Sequence, residues 1–348
     1  MSKAEKLIET LQSDIESGDI NKTWERINTS HKLEIGQGCG VDVLQDQSAI
    51  QQAFAAKQEP LVVYPGALNN LFKDALERDA FIAFQGGEKK GKTFLLLDLA
   101  WRAMCQRRKV AFFEVGDLSQ NQIMRRFMIR AAGRPLKSCT VKYPKSISHH
   151  PDSEIAEVEE TERVYKNPLS WGKAWKACQE VMISKTKSKD SYLRLSCHPN
   201  SSISIQGVYG ILQGWERDGW TPDCIIIDYA DILAPIRGDM ETRDAINSTW
   251  KQMRALSQSL HCLVATATQA KATSYKAHTQ TREHFSENKL KMAHVTGMIG
   301  INQSEDEKDI GVIRLNWIVL REGEFSEGKC VHCAGALALA APLIRSTF

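Results

Sequence analysis

Gly86-Gly87-Glu88-Lys89-Lys90-Gly91-Lys92-Thr93 is the stretch from which the rest of the chain can be read. It fits the pattern G-x-x-x-x-G-K-[ST], a loop whose backbone N–H groups curl around phosphate oxygens. Glycines permit that curl because they carry no Cβ to clash. The flanks agree with the mechanism. Phe81-Ile82-Ala83-Phe84 before the loop predicts a buried strand, and Phe94-Leu95-Leu96-Leu97-Asp98-Leu99-Ala100-Trp101 after it predicts a helix. A helix N-terminus adds partial positive charge at the same spot. On this reading residues Gly86 through Thr93 cradle a nucleoside triphosphate, Lys92 reaches its β- and γ-phosphates, and the Thr93 hydroxyl holds Mg²⁺.

Working outward, strands and helices alternate. Val110-Ala111-Phe112-Phe113, Tyr192-Leu193-Arg194-Leu195, Cys224-Ile225-Ile226-Ile227 and Cys262 to Ala267 read as strands. Asn121–Ala132, Ser170–Ser184, Ile203–Arg217 and Arg243–Ser259 read as helices. Gly311–Leu320 and Lys329–Ala336 read as two further strands around a Gly323-Glu324 turn. Such alternation predicts an α/β fold with a mostly parallel twisted sheet, extended by two antiparallel strands at its C-terminal end. Residues 61–348 are expected to form this domain, with an insertion at about 134–167 that is basic first and acidic later. Residues 1–60 are expected to be a small N-terminal helical appendage or linker, with Leu7, Ile8, Leu11, Ile15 and Ile20 on one stripe and a break at Gly36-Gln37-Gly38-Cys39-Gly40.

Hydrolysis needs more than a phosphate loop. Asp228 follows four apolar residues, so it falls at the C-terminal tip of a core strand, where open α/β sheets place ligands and a Walker-B carboxylate would share Mg²⁺ with Thr93. Glu114 directly follows Phe113 and Asp117 lies three residues further on; either could act as the base for an attacking water. Gln269, at the end of the next strand, could sense the γ-phosphate.

Taken in order, these pieces resemble the RecA-like ATPase core of DnaB-type replicative helicases, in the divergent form that phages and prophages encode. The resemblance spans Pro65 to Arg345. Ile227-Asp228-Tyr229 matches the family's Asp-Tyr Walker-B signature, and Val115 to Arg126 looks like its Glu-Met-Ser segment, a register that favours Asp117 as base. Leu320-Arg321-Glu322-Gly323 is similar to the family's Lys-x-Arg-x-Gly hairpin, which implies that Arg321 is an arginine finger reaching a neighbouring subunit's ATP site. Val319 stands where the family has lysine, so the second cation is either missing or supplied from elsewhere, with Arg314 a candidate. The resemblance therefore implies ATP and Mg²⁺ as cofactors and self-association into a ring, most simply a hexamer, with the N-terminal helices packing on a neighbour. It also implies that the loop after Gln269 faces single-stranded DNA. Lys271, Lys276, Arg282, Lys289 and Lys291, with Tyr275 and Phe285 between them, would touch phosphates and stack on bases.

Bulk properties bound these expectations. The chain has 348 residues, 42% hydrophobic and 25% charged, and a net charge of +3, which does not by itself announce a nucleic-acid binder. Nine cysteines without a disulfide-like framework, and no signal or transit segment, predict a reducing cytoplasmic setting, here that of a bacterial host. No apolar run approaches the ~20 residues of a membrane span. Cys330-Val331-His332-Cys333 suggests zinc only superficially, since neither it nor His149-His150 with Cys139 forms a second ligand pair. The leading expectation is a ring-forming ATPase that binds single-stranded DNA and moves on it as a replicative-type helicase, with replication or loading partners. The alternative is a non-motor ATPase that acts as a switch, loader or accessory factor in phage replication, recombination or defence. A small-molecule kinase would want a lid and an acceptor pocket that the sequence does not display.

Overall fold

Every residue of the strand before the phosphate loop is buried, which requires neighbours on both edges and cover on both faces. The computed structural model describes residues 12, 43–55, 59–150, 152–188, 190–235, 241–270, 278–284 and 289–348, with the backbone alone at 49, 52, 55, 284 and 289. Its contacts divide the chain into Met1–Lys57 and Gln58–Phe348. In the first unit helix α1 (Gln47–Ala55) is described; the expected N-terminal stripe and the glycine break lie outside the described residues.

The second unit contains strands β1 (Phe81–Gly86), β2 (Val110–Glu114), β3 (Cys139–Ser148), β4 (Glu157–Tyr165), β5 (Leu193–Cys197), β6 (Cys224–Asp228), β7 (Leu263–Gln269), β8 (Gly297–Asn302), β9 (Val312–Leu320), β10 (Val331–Ala336) and β11 (Ala341–Thr347). Its helices are α2 (Ala67–Phe72), α3 (Lys92–Cys105), α4 (Gln120–Ala132), α5 (Trp171–Val181), α6 (Ile205–Arg217), α7 (Thr242–Ser259) and α8 (Glu305–Asp309). Nine strands form one sheet in the order β11-β10-β9-β8-β1-β7-β6-β2-β5. From β5 to β8 the strands run parallel; β9, β10 and β11 continue the sheet antiparallel.

Alternation along each strand feeds two cores. Ile82, Phe84, Phe112 and Ile226 face α3 and α4, packing on Leu95, Leu96, Leu99 and Phe127. Phe81, Ala83, Phe113 and Ile227 face α6 and α7, packing on Val208, Leu212, Trp250 and Met253. Leu61, Val62 and Tyr64 close the first core from below. Helix α4 begins on a capping box in which Ser119 accepts from the Gln122 N–H while the Gln122 side chain accepts from the Ser119 N–H. No helix among the described residues is long and apolar enough to cross a membrane.

Three features exceed the expectations from sequence. Strand β8 carries Gly297 and Gly300, which break the usual strand composition. A Cβ on Gly297 would stand 2.6 Å from the Trp317 ring, and one on Gly300 2.6 Å from the Asn316 side chain, so large partners on β9 require glycine there. Strand β11 tolerates Pro342 because it is the sheet edge. The insertion is an antiparallel hairpin of β3 and β4, in which Lys142 pairs with Glu160 at 3.4 Å and Lys145 with Glu159 at 3.5 Å. The hairpin seats Val141 against Ala336, Leu339 and Ala341.

At the hairpin end the His149 ring stacks on His332 of β10, with centroids 3.9 Å apart. Burial, then the neighbouring His149 and Arg314, holds His332 down to about 4 from 6.5. The fold thus accommodates the neutral ring. Its stability contribution is complete above pH 6.5 and falls as protons bind the unfolded chain below that pH. Urea denaturation is expected to show ~2 kcal/mol of stability lost from this residue between pH 7 and pH 5, and His332→Leu removes that part of the pH dependence.

Candidate nucleotide-binding and hydrolysis site

The phosphate loop joins two buried elements and takes its shape from them. Gly86 ends β1 with its Cα facing Ile301, and Gly91 caps α3 in the left-handed region at φ 85°. Nothing lies within 4 Å of the position a Gly91 Cβ would occupy, so the positive φ rather than crowding calls for glycine there. The Lys92 ammonium folds back over the loop, donating to the carbonyls of Gly86 at 3.1 Å and Gly87 at 2.8 Å. Burial lowers its pKa, and Asp228 and Asp117 oppose that shift.

Two buried carboxylates stand beside it. Parallel pairing of β2 and β6 sets Glu114 directly opposite Asp228. The Thr93 hydroxyl favours the charged form of Asp228, whose Oδ2 has no hydrogen-bond partner. Burial first, and the Glu114 charge second, push Asp228 up to about 7. Glu114 uses Oε1 to accept from the N–H groups of Asp117 and Leu118, both at 2.9 Å, and its Oε2 has no partner. Its own pKa is raised by burial, against the pull of those N–H bonds. Glu114 therefore organises the turn that carries Asp117, and Asp117 is exposed and lines the cleft.

The cleft holds about 620 Å³. The side chains of Glu88, Lys89 and Lys90 rim it, and Gln269 faces it from the tip of β7, paired in register with Gly86. Ile313, Leu337 and Pro342 give it an apolar wall. Arg126 also lines it, with its guanidinium 4.5 Å from the Phe94 ring centre and within the field of Asp228 and Glu114. The sequence marks Arg126 only as one of several basic residues on a helix; the helix phase that turns it toward the loop comes from packing.

A nucleoside triphosphate with Mg²⁺ fits these residues. The loop lines an open cleft, the Lys92 ammonium stands over it, and two buried carboxylate oxygens lack partners. Among the described residues no cluster of three or more His, Cys, Asp or Glu is arranged to hold a metal alone, so a Mg²⁺ here would complete its shell with phosphate oxygens and water.

The remaining predicted residues lie elsewhere. Gly297 pairs with both Ile82 and Leu320, so Arg321 sits at the end of the sheet away from the phosphate loop. A strand of this length separates it from its own chain's loop by ~17 Å, beyond side-chain reach. Its guanidinium donates to the Ala293 carbonyl. Arg314 does not supply a second cation there: it is buried at the opposite end of β9 and paired to Glu307 at 2.6 and 3.2 Å. Lys291 is likewise no surface cation, being 3% exposed and bonded to Asp231. Arg282 is exposed, with Nε 3.1 Å from Glu327. Lys271, Tyr275, Lys276 and Phe285, and the side chain of Lys289, lie outside the described residues.

No family model matches the chain, and no curated protein sequence matches it either. Solved structures do match. The fold is RecA-like, that of DnaB-type helicase ATPase domains. The ATPase domain of G40P superimposes with a TM-score of 0.65 at 12% identity, covering 88% of this chain and 100% of that one. A DnaB-like replicative helicase, described with its interactions with primase, superimposes with a TM-score of 0.68 at 12% identity, covering 96% of this chain and 73% of that one.

Glu114→Ala frees the N–H groups of Asp117 and Leu118 and is expected to cost about 1–3 kcal/mol of stability in denaturant unfolding, whereas Glu114→Gln keeps an acceptor and preserves most of it.

Proposed function

We propose that this chain is an ATP-hydrolysing P-loop enzyme that assembles head to tail into a ring, most simply a hexamer, and acts on single-stranded DNA as a replicative-type helicase. The observation that carries this reading is the convergence of Lys92, Thr93, Asp117 and Gln269 on one cleft, with the buried Asp228 carboxylate near Thr93. Bound Mg²⁺ would neutralise charge developing on the phosphate oxygens. Lys92 exchanges its loop carbonyl partners for phosphate oxygens. Thr93 and Asp228 would hold the metal, whose positive charge would offset what burial costs the Asp228 carboxylate. Asp117 takes the proton of the attacking water, and Glu114 holds the turn that aims it. Gln269 orients groups on the γ-phosphate side.

Arg321, out of reach of its own chain's loop, is assigned to a neighbour's site, and this supports the ring. The likeness to a DnaB-like helicase with primase interactions supports replication or loading partners. A second reading, a non-motor nucleotide switch, is favoured by the engagement of Arg282 and Lys291 with acidic partners and by Val319 in the finger hairpin. ATPase rate with and without single-stranded DNA, measured beside strand displacement, decides between them: stimulation with unwinding supports the motor, and hydrolysis indifferent to DNA supports the switch.

Lys92→Ala is expected to abolish hydrolysis and weaken nucleotide binding, and Asp228→Asn to bind ATP but turn it over slowly. Retained ATPase activity in folded Lys92→Ala would remove the basis of the reading. Arg321→Ala should bind ATP normally and lose on the order of 10³-fold in turnover, with activity partly restored on mixing with Asp228→Asn. Absence of that restoration counts against a site shared between chains.

A further inference from the structure

Beside the cleft lies a buried charge cluster that the reaction above does not use. Four elements build it. Asp231 comes from the short turn Ala230–Ile232 that follows β6, Thr268 from the last-but-one position of β7, Trp250 from α7, and Lys291 from the turn Lys289–Ala293. Lys291 Nζ donates to Asp231 Oδ1 at 2.8 Å and to Thr268 Oγ1 at 3.3 Å. Thr268 in turn donates to Asp231 Oδ2 at 2.7 Å, and the Trp250 indole N–H to Oδ1 at 3.1 Å. The ammonium also lies 5.3 Å from the centre of the Trp250 ring.

Such a pair is a poor device for stability. Desolvating an ammonium and a carboxylate offsets most of their attraction, and apolar side chains of the same volume would pack as well or better. The surroundings invite that solution, since Trp250, Met253 and Val295 belong to one apolar core. What the pair does supply is direction, because each bond has a fixed length and angle. Its members sit where direction matters: Asp231 is three residues beyond Asp228, Thr268 immediately precedes Gln269, and Lys291 belongs to the connection between β7 and β8.

We propose that Asp231 and Lys291 are positioning residues: their ion pair holds the tips of β6 and β7, and with them Asp228 and Gln269, in register with the phosphate loop, and it ties that register to the segment between β7 and β8. This rests on the nucleotide-site reading above. Two consequences follow. Removing either charge should misplace the strand tips without removing any group that touches nucleotide. Nucleotide binding should be felt at the far end of the segment through the pair.

The test compares wild type with Lys291→Met, Asp231→Asn, the double variant, and Lys291→Arg, which keeps the charge. Each charge-removing single variant is expected to lose on the order of 10- to 100-fold in kcat. KM for ATP should move by less than about threefold, and the double variant should lose no more than the worse single one. Lys291→Arg should stay within about threefold of wild-type kcat. A readout that needs no hydrolysis is amide hydrogen exchange in peptides 264–270 and 289–296, with and without a non-hydrolysable ATP analogue and Mg²⁺. Exchange should slow on binding in wild type and respond far less in Lys291→Met. Unchanged kcat in folded variants, additive losses, or an unaltered exchange response in variants that bind the analogue would overturn the proposal. A wild-type chain that binds no nucleotide, by titration with a fluorescent ATP analogue, overturns the site reading and this proposal with it.

Discussion

Parallel hydrogen bonding among β1, β2, β6 and β7 is the constraint on which the rest of the molecule depends. Strands that run the same way end at the same edge, so Gly86, Glu114, Asp228 and Gln269 meet there although most of the chain separates them. Register then fixes who faces whom: Glu114 opposite Asp228, and Gly86 opposite Gln269. Helices cover the crossovers between β1 and β2, β5 and β6, and β6 and β7. Those helices bury both faces of the strands, and this is why the strands read as continuous apolar runs.

The same burial loads the strand tips electrostatically. Two carboxylates side by side in an apolar sheet repel one another and lack water, so their protons are held more tightly than in solution. Thr93, Arg126 and the turn N–H groups compensate only in part, and one oxygen on each acid remains without a partner. A local arrangement that is unfavourable for the empty fold is one a cation would relieve, and the surrounding close-packed sheet is what keeps it in place.

Reversal of direction after β8 carries the chain back to the other end of the sheet. β9 runs back toward the end where β1 begins, and it delivers Arg321 there while keeping Arg314 beside Glu307 near the loop end. The antiparallel strands also provide the surface on which the β3–β4 hairpin rests. Close approach of Trp317 and Asn316 to β8 explains its glycines, which otherwise weaken the strand pattern.

The chain's local chemistry was enough to announce the phosphate loop, the strands that are buried on both faces, and the carboxylates at their tips, because each depends on residues adjacent in sequence: a glycine pattern, an apolar run, an acid directly after it. Periodicity likewise placed the flanking helices to within a few residues. Folding alone decided the features that depend on distant partners. Gly297 and Gly300 make sense only against β9. That Glu114 Oε1 accepts from the N–H groups of Asp117 and Leu118 depends on how the turn after β2 folds. Arg126 turned to the cleft through helix phase. Lys291 reads from sequence as a nucleic-acid contact and Arg314 as a candidate second cation of the finger hairpin, yet each is buried against an acid, Asp231 or Glu307, that sequence order does not reveal. The physical reason is the range of the forces involved: hydrophobic periodicity is written locally, whereas a buried charge is tolerable only beside a partner that the tertiary fold brings to it.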